Sequence, residues 1–124
     1  DPEGNYTIEQ VVASGCERVE FDGPIGAYQG SQHPMAAAQA EVELARMITY
    51  RFVWAFDNQK DAGELFNMVS CAATAAAIHV CDATLQCVGG NGFTKEYGIF
   101  DLCPLARMPR TAQLNREIIF ELNW

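Results

Sequence analysis

Positive charge is scarce in this sequence: 8 Lys and Arg stand against 16 Asp and Glu, a formal net charge of −8 over 124 residues. Such a field repels polyphosphate, and Arg46, Arg51, Arg107, Arg110 and Arg116 are too scattered to form a basic stripe, which excludes nucleic-acid binding. The five cysteines, Cys16, Cys71, Cys81, Cys87 and Cys103, are odd in number and contain no C-x-x-C pair. They are expected to pack, reduced, as small hydrophobes in a cytoplasmic protein. Histidine is rarer still, and His79 and Cys81, two steps apart on a helix, point about 200° apart, so no metal site is expected. The opening Asp1-Pro2-Glu3-Gly4-Asn5 lacks the basic start and apolar run of a signal peptide. Leu65–Cys81 carries no formal charge, but it is at the short limit of a membrane span and its centre is Ala, Thr and Ser, so no span is expected.

What is present suits one folded domain: 49% hydrophobic and 19% charged residues supply a core without the charge of a disordered chain. Ile8, Val11 and Val12 follow helical spacing from Thr7, a candidate N-cap, to about Arg18. Residues 21–33, dense in Gly and Pro, read as a connection, with Pro34 opening the next helix as a first-turn proline. That helix shows one apolar stripe through Met35, Ala38, Val42, Ala45, Ile48, Phe52 and Phe56, while Leu44, Met47 and Trp54 lie on other faces. After a polar turn at residues 57–61, Leu65 to Val88 has a single formal charge, Asp82, and reads as a helix buried within a bundle. Gly89-Gly90-Asn91-Gly92 should end it, a loop should run to about Pro109, and Leu114, Ile118, Ile119 and Leu122 mark a last helix. No convincing strand is visible. The short connection between two long helices makes them antiparallel, so the predicted fold is an all-α, up-and-down four-helix bundle.

Chemistry is harder to place by pattern. The Gly89–Gly92 run lacks the spacing of a dinucleotide fingerprint or a Walker loop and follows a helix, so it reads as a C-cap more readily than as a phosphate cradle. Glu41, Glu43 and Asp82 are carboxylates within helical runs, where a solvated or paired helix face is the ordinary explanation.

A set of ordered segments goes further: Glu17-Arg18-Val19-Glu20-Phe21, Pro24-Ile25-Gly26-Ala27-Tyr28-Gln29, Gln32-His33-Pro34-Met35-Ala36, Ala40-Glu41-Val42-Glu43-Leu44-Ala45-Arg46, and the run Gln86–Gly98. Over roughly residues 8 to 121 they resemble the C-terminal helical domain of the flavin-dependent acyl-CoA dehydrogenases. In that family the bundle follows an N-terminal helical domain and a central β domain, neither of which lies within these residues. The resemblance implies FAD contacts at Arg18, Phe21 and Gln29, and at Gln86, Gly89 and Gly90. It implies an acyl-CoA substrate for the complete enzyme, and a homo-oligomer or a partner subunit that carries the other domains. The apolar face around Leu44, Met47 and Trp54 is expected to meet other subunits.

The resemblance also places Gln113 where many members carry the glutamate base. An amide cannot take the α proton of an acyl thioester. Other members carry their base on an earlier helix, in a segment that would precede residue 1. Two further departures are Pro104-Leu105, in place of an Arg-Asp pair, and Asp22, in place of a glycine, which adds negative charge beside the expected diphosphate. Two functions are therefore carried forward. One is a part of a flavin-dependent acyl-CoA dehydrogenase, contributing cofactor contacts and subunit interface but inactive alone. The other is a catalytically inactive bundle acting in oligomerisation or partner binding.

Overall fold

Helix formation starts earlier along the chain than the pattern predicts. The computed structural model describes residues 2–20 and 22–112. Helix α1 spans Pro2–Glu17, so the start expected at Thr7 is overturned: a proline is well placed in a first helical turn, where its missing N–H costs nothing. A two-residue antiparallel pair follows, β1 (Val19–Glu20) and β2 (Gly23–Pro24), with Val19 opposite Pro24 and Glu20 opposite Gly23. This small ribbon was not legible in the sequence, because two residues per strand carry no alternation to read. A 3-10 turn at Ile25–Ala27 then leads to α2, Gln29–Asp57.

Pro34 does not open α2 but lies inside it. The helix begins where the Tyr28 carbonyl accepts the N–H groups of Ser31 and Gln32, at 3.0 and 3.1 Å. Pro34 removes one later bond, to the Gly30 carbonyl, and Gly30 is exposed with open space around it, so water can satisfy that oxygen. The expected loop before Pro109 is overturned for a similar reason. Residues Ile99–Arg107 form α4 with Pro104 inside it, and Pro109–Ala112 begins α5 with proline at its first position. Fully buried Ile99 anchors α4 to the core, which outweighs the single bond that Pro104 removes. Of the last helix expected from Thr111 onward, Thr111 and Ala112 lie in α5, and its apolar positions from Leu114 fall outside the described residues.

Helix α3, Gly63–Val88, starts close to the predicted Leu65. Asp61 supports the start by accepting the Gly63 N–H at 3.2 Å. The connection from α2 covers only residues 58–62, so the two longest helices run antiparallel. Their contact is the most extensive in the molecule, and α1 and α4 pack on α3 as well. By length and composition Gly63–Phe93 could cross a membrane; in this structure it is the element that the other helices share.

The core joins Ile8 and Val11 of α1, Met35, Ala38, Val42 and Ala45 of α2, Ala76, Val80, Ala83 and Val88 of α3, and Ile99 of α4. The predicted α2 stripe holds through Ala45 and weakens beyond it: Ile48 and Phe52 are half-buried, Phe56 is exposed, and Ala55 is buried instead. The core cluster stops at Ala45 on α2 and at Ala76 on α3, so large side chains beyond those positions meet solvent. The cysteine thiols are reduced, with Cys81 buried, Cys71, Cys87 and Cys103 half-buried, and Cys16 exposed, contrary to its expected packing.

Candidate functional site

Three separated stretches of sequence meet at one end of the bundle. The end of α1 crosses the 3-10 turn at a pair of glycines. A Cβ on Gly26 would lie 3.1 Å from the carbonyl carbon and oxygen of Gly15, closer than backbone tolerates without moving. Two bare backbones therefore touch here, and the contact fixes where α1 delivers Arg18. The Ile25 N–H donates to the Arg18 carbonyl at 2.8 Å, which ties the same turn to the residue itself.

The Arg18 guanidinium bridges to the end of α3. Its Nη1 donates to the Val88 carbonyl at 3.1 Å, and its Nη2 pairs with the Glu20 carboxylate. The guanidinium thereby adds a side-chain donor at the carbonyl that ends α3. Immediately after Val88, Gly89 adopts φ +67°, and a Cβ there would sit 3.9 Å from Arg18 Nη1. Gly89 thus ends α3 as a cap, at a φ that glycine adopts without strain. Gly90 is exposed with nothing within 4 Å of where a Cβ would be, so a ligand can approach its backbone closely. Instead of an open loop, residues Gly89–Phe93 form a 3-10 turn.

Gln29, the first residue of α2, and Gln86, near the end of α3, are both exposed. The Cys87 thiol lies 3.7 Å from the Ser31 carbonyl, which holds the start of α2 against the end of α3 and brings the two glutamines to the same end of the molecule. Burial pushes the Cys87 thiol up from its ordinary range, so it stays protonated and packs as an apolar group. Of the predicted residues, the structure thus brings Arg18 and Gly89 together and places Gln29, Gln86 and Gly90 on neighbouring turns. Phe21 and Gln113 lie outside the described residues.

Sequence reasoning missed three contributors: Glu20, the Val88 carbonyl and the Gly15–Gly26 crossing. Only Gly15 carried a signal, since a glycine within a helix costs stability unless close packing requires it. A cavity of about 600 Å³ opens behind the cluster, between α1, the 3-10 turn and the starts and ends of α2 and α3; Arg18, Met35, Cys87 and Val88 are among its lining residues. His79 Nδ1 meets Glu41 Oε2 at 2.8 Å, linking α3 to α2, while Cys81 is buried.

Arg18 keeps donors beyond the two that it uses here, and it stands beside an open glycine backbone. An anionic or hydroxyl-rich ligand of extended shape fits that arrangement. Glu20 and the exposed Asp22 reduce the local positive potential without blocking access.

Known proteins match this chain along nearly its whole length. The family model described as acyl-CoA dehydrogenase, C-terminal domain, matches residues 5–118. The acyl-CoA dehydrogenase FadE12 of Mycobacterium tuberculosis is 37% identical over 118 residues, covering 94% of this chain and 30% of the relative. Cyclohexane-1-carbonyl-CoA dehydrogenase of Geobacter metallireducens is 30% identical over 114 residues, covering 92% of this chain and 28% of the relative. Among solved structures, butyryl-CoA dehydrogenase from Megasphaera elsdenii superposes with a TM-score of 0.91 at 19% identity, over 97% of this chain and 31% of that one. PigA with FAD superposes with a TM-score of 0.92 at 20% identity, over 97% and 31% respectively. The chain spans about 30% of the length of the relatives that it matches, in one continuous block. A bundle with these helices, matched by the family model over residues 5–118, belongs to the acyl-CoA dehydrogenase family, in the part that forms its C-terminal helical domain.

Proposed function

We propose that this chain serves a flavin-dependent acyl-CoA dehydrogenase, contributing contacts to FAD and a subunit interface while other domains hold the rest of the site. The observation that carries the reading is the Arg18 guanidinium on the Val88 carbonyl, 3.1 Å away and beside the left-handed Gly89. It joins the two sequence segments that the family resemblance assigns to one cofactor.

In this role Arg18 binds a phosphate or ribose oxygen of FAD through its remaining N–H donors. Gly89 and Gly90 admit the cofactor to their backbone, and the Gln29 and Gln86 amides supply neutral donors and acceptors at its edge. FAD, when bound, accepts the hydride that leaves the β carbon of an acyl thioester. Gln113 cannot take the α proton, so a carboxylate elsewhere in the complete enzyme does so. That placement makes the isolated bundle a half-site. The N-terminal helical and β domains of the family, in the same polypeptide or in a partner subunit, complete it. An odd number of cysteines without a C-x-x-C pair and the acidic balance support a cytoplasmic location without membrane or nucleic-acid partners.

Equilibrium dialysis against FAD of the complex assembled from this chain and the domains that complete the site, read by flavin absorbance, tests the assignment. The complex with the wild-type chain is expected to retain FAD. Arg18→Ala is expected to weaken that retention by about 1.5–3 kcal/mol, roughly 10- to 150-fold, the range for a lost charged hydrogen bond. Absence of retained FAD, or equal retention by the variant, overturns the role given to Arg18.

A further inference from the structure

The two contacts of the Arg18 guanidinium differ in kind. Nη1 donates inward to the carbonyl of buried Val88 and so joins segments 70 positions apart. Nη2 turns outward to the Glu20 carboxylate, and the two side chains of that pair are 43% and 41% exposed. The first contact sets the pose of the guanidinium. The second mainly neutralises it, since an exposed ion pair adds little to the stability of a fold.

The place of Nη2 on the guanidinium decides what Glu20 competes with. A guanidinium has two edges that can grip an anion with parallel bonds, one made by Nε and Nη2 and the other by Nη1 and Nη2. Nη2 belongs to both. A phosphate that takes Arg18 in a forked grip therefore needs the nitrogen on which Glu20 rests. Glu20 leaves the guanidinium reachable at single donors and contests the stronger, two-bond contact.

The backbone around Glu20 lets this carboxylate leave without unfolding anything. Glu20 pairs with Gly23 across the β1–β2 ribbon, and its carbonyl accepts the Tyr28 hydroxyl at 3.1 Å. Those bonds hold the main chain and leave the partly exposed carboxylate to turn about its own side-chain torsions, a fast motion for such a residue. Once it has turned away, Arg18 is still posed by the Val88 carbonyl, so its donors are freed without the arginine being loosened. Glu17 and Asp22, both exposed, add to the negative field that a phosphate meets on approach.

We propose that Glu20 is an intramolecular stand-in for the cofactor's phosphate: it rests on Arg18 Nη2 before the cofactor binds and gives that nitrogen up to the diphosphate of FAD. The inference rests on the flavin reading of Arg18 and adds a competing contact from within the same chain. Exchange of one anion for another keeps the guanidinium neutralised throughout, so this corner does not offer a bare cation to stray anions. FAD is held more weakly than Arg18 alone would hold it.

The FAD dissociation constant of the complex assembled from this chain and the domains that complete the site tests the idea, measured at low salt and at about 1 M salt, where the screening length falls to about 3 Å. Glu20→Gln keeps the side-chain shape and the ribbon's backbone bonds while removing the charge. It is expected to tighten FAD binding about three- to tenfold at low salt, with the gain shrinking at high salt. In an Arg18→Ala background the same change is expected to give less than about a twofold gain, because the competition has lost its object. Equal or weaker FAD binding by Glu20→Gln overturns the proposal, as does an equal gain with and without Arg18. If Arg18→Ala weakens FAD binding while Glu20→Gln leaves it unchanged, the stand-in is overturned and the flavin reading survives. If Arg18→Ala changes nothing, both fall.

Discussion

The two ends of the α2–α3 pair are built on opposite principles. At the Arg18 end the chain uses little side-chain bulk: Gly15 and Gly26 touch backbone to backbone, Gly89 turns left-handed beside the guanidinium, and α1, α2 and α3 are tied together by carbonyls and one arginine. At the other end, near the turn between α2 and α3, Phe52 stacks obliquely with Phe56 and Phe66, at 6.1 and 5.8 Å between ring centroids, while Phe56 remains 69% exposed. One end is defined by what fits between backbones, and the other by large groups awaiting cover. The difference teaches that a bundle can set one end by close backbone approach and leave large side chains bare at the other, along the same two helices.

The comparison can be broken most strongly through the core that supports the glycine-rich end. Ile99 is fully buried at the start of α4, and Ile99→Ala is expected to lower unfolding free energy by about 2–5 kcal/mol in urea melts. Gly26→Ala comes next. Its methyl must displace the Gly15 backbone, with an expected loss of about 1–3 kcal/mol and a weaker grip on FAD as Arg18 moves with α1. A change in melting without any change in FAD retention would show that the crossing does not position Arg18. Thr84 works in the other direction, because its hydroxyl is fully buried and has no hydrogen-bond partner among the described residues. Thr84→Val removes that unmet polar group and is expected to stabilise the fold by about 1 kcal/mol, read by the same melts. Phe56→Ala at the exposed end should cost only about 0.5 kcal/mol in dilute solution, where nothing covers the ring. A cost like that of Ile99→Ala would erase the contrast between the two ends.

Some of this was legible in residue order and some was not. The α2 core stripe from Met35 to Ala45, the span of α3 and its stop at Gly89 follow from helical periodicity and from glycine's tolerance of positive φ, which are local properties. The proline positions were misread because a proline marks a local penalty, not its outcome. Pro34 and Pro104 each cost one backbone bond, and each helix continues because other contacts, such as buried Ile99, outweigh that loss. The role of Glu20 was invisible because an exposed glutamate two residues after an arginine is ordinary in any sequence.

By itself the sequence determined the helical fold and the family, since both depend on residue type, spacing and order. Only the tertiary structure decided that Arg18 and Gly89, 71 positions apart, share one corner, and that one stripe of α2 is buried while the face around Leu44, Met47 and Trp54 is bare. Both outcomes rest on which surfaces meet when helices pack, and periodicity marks an apolar face without naming what covers it.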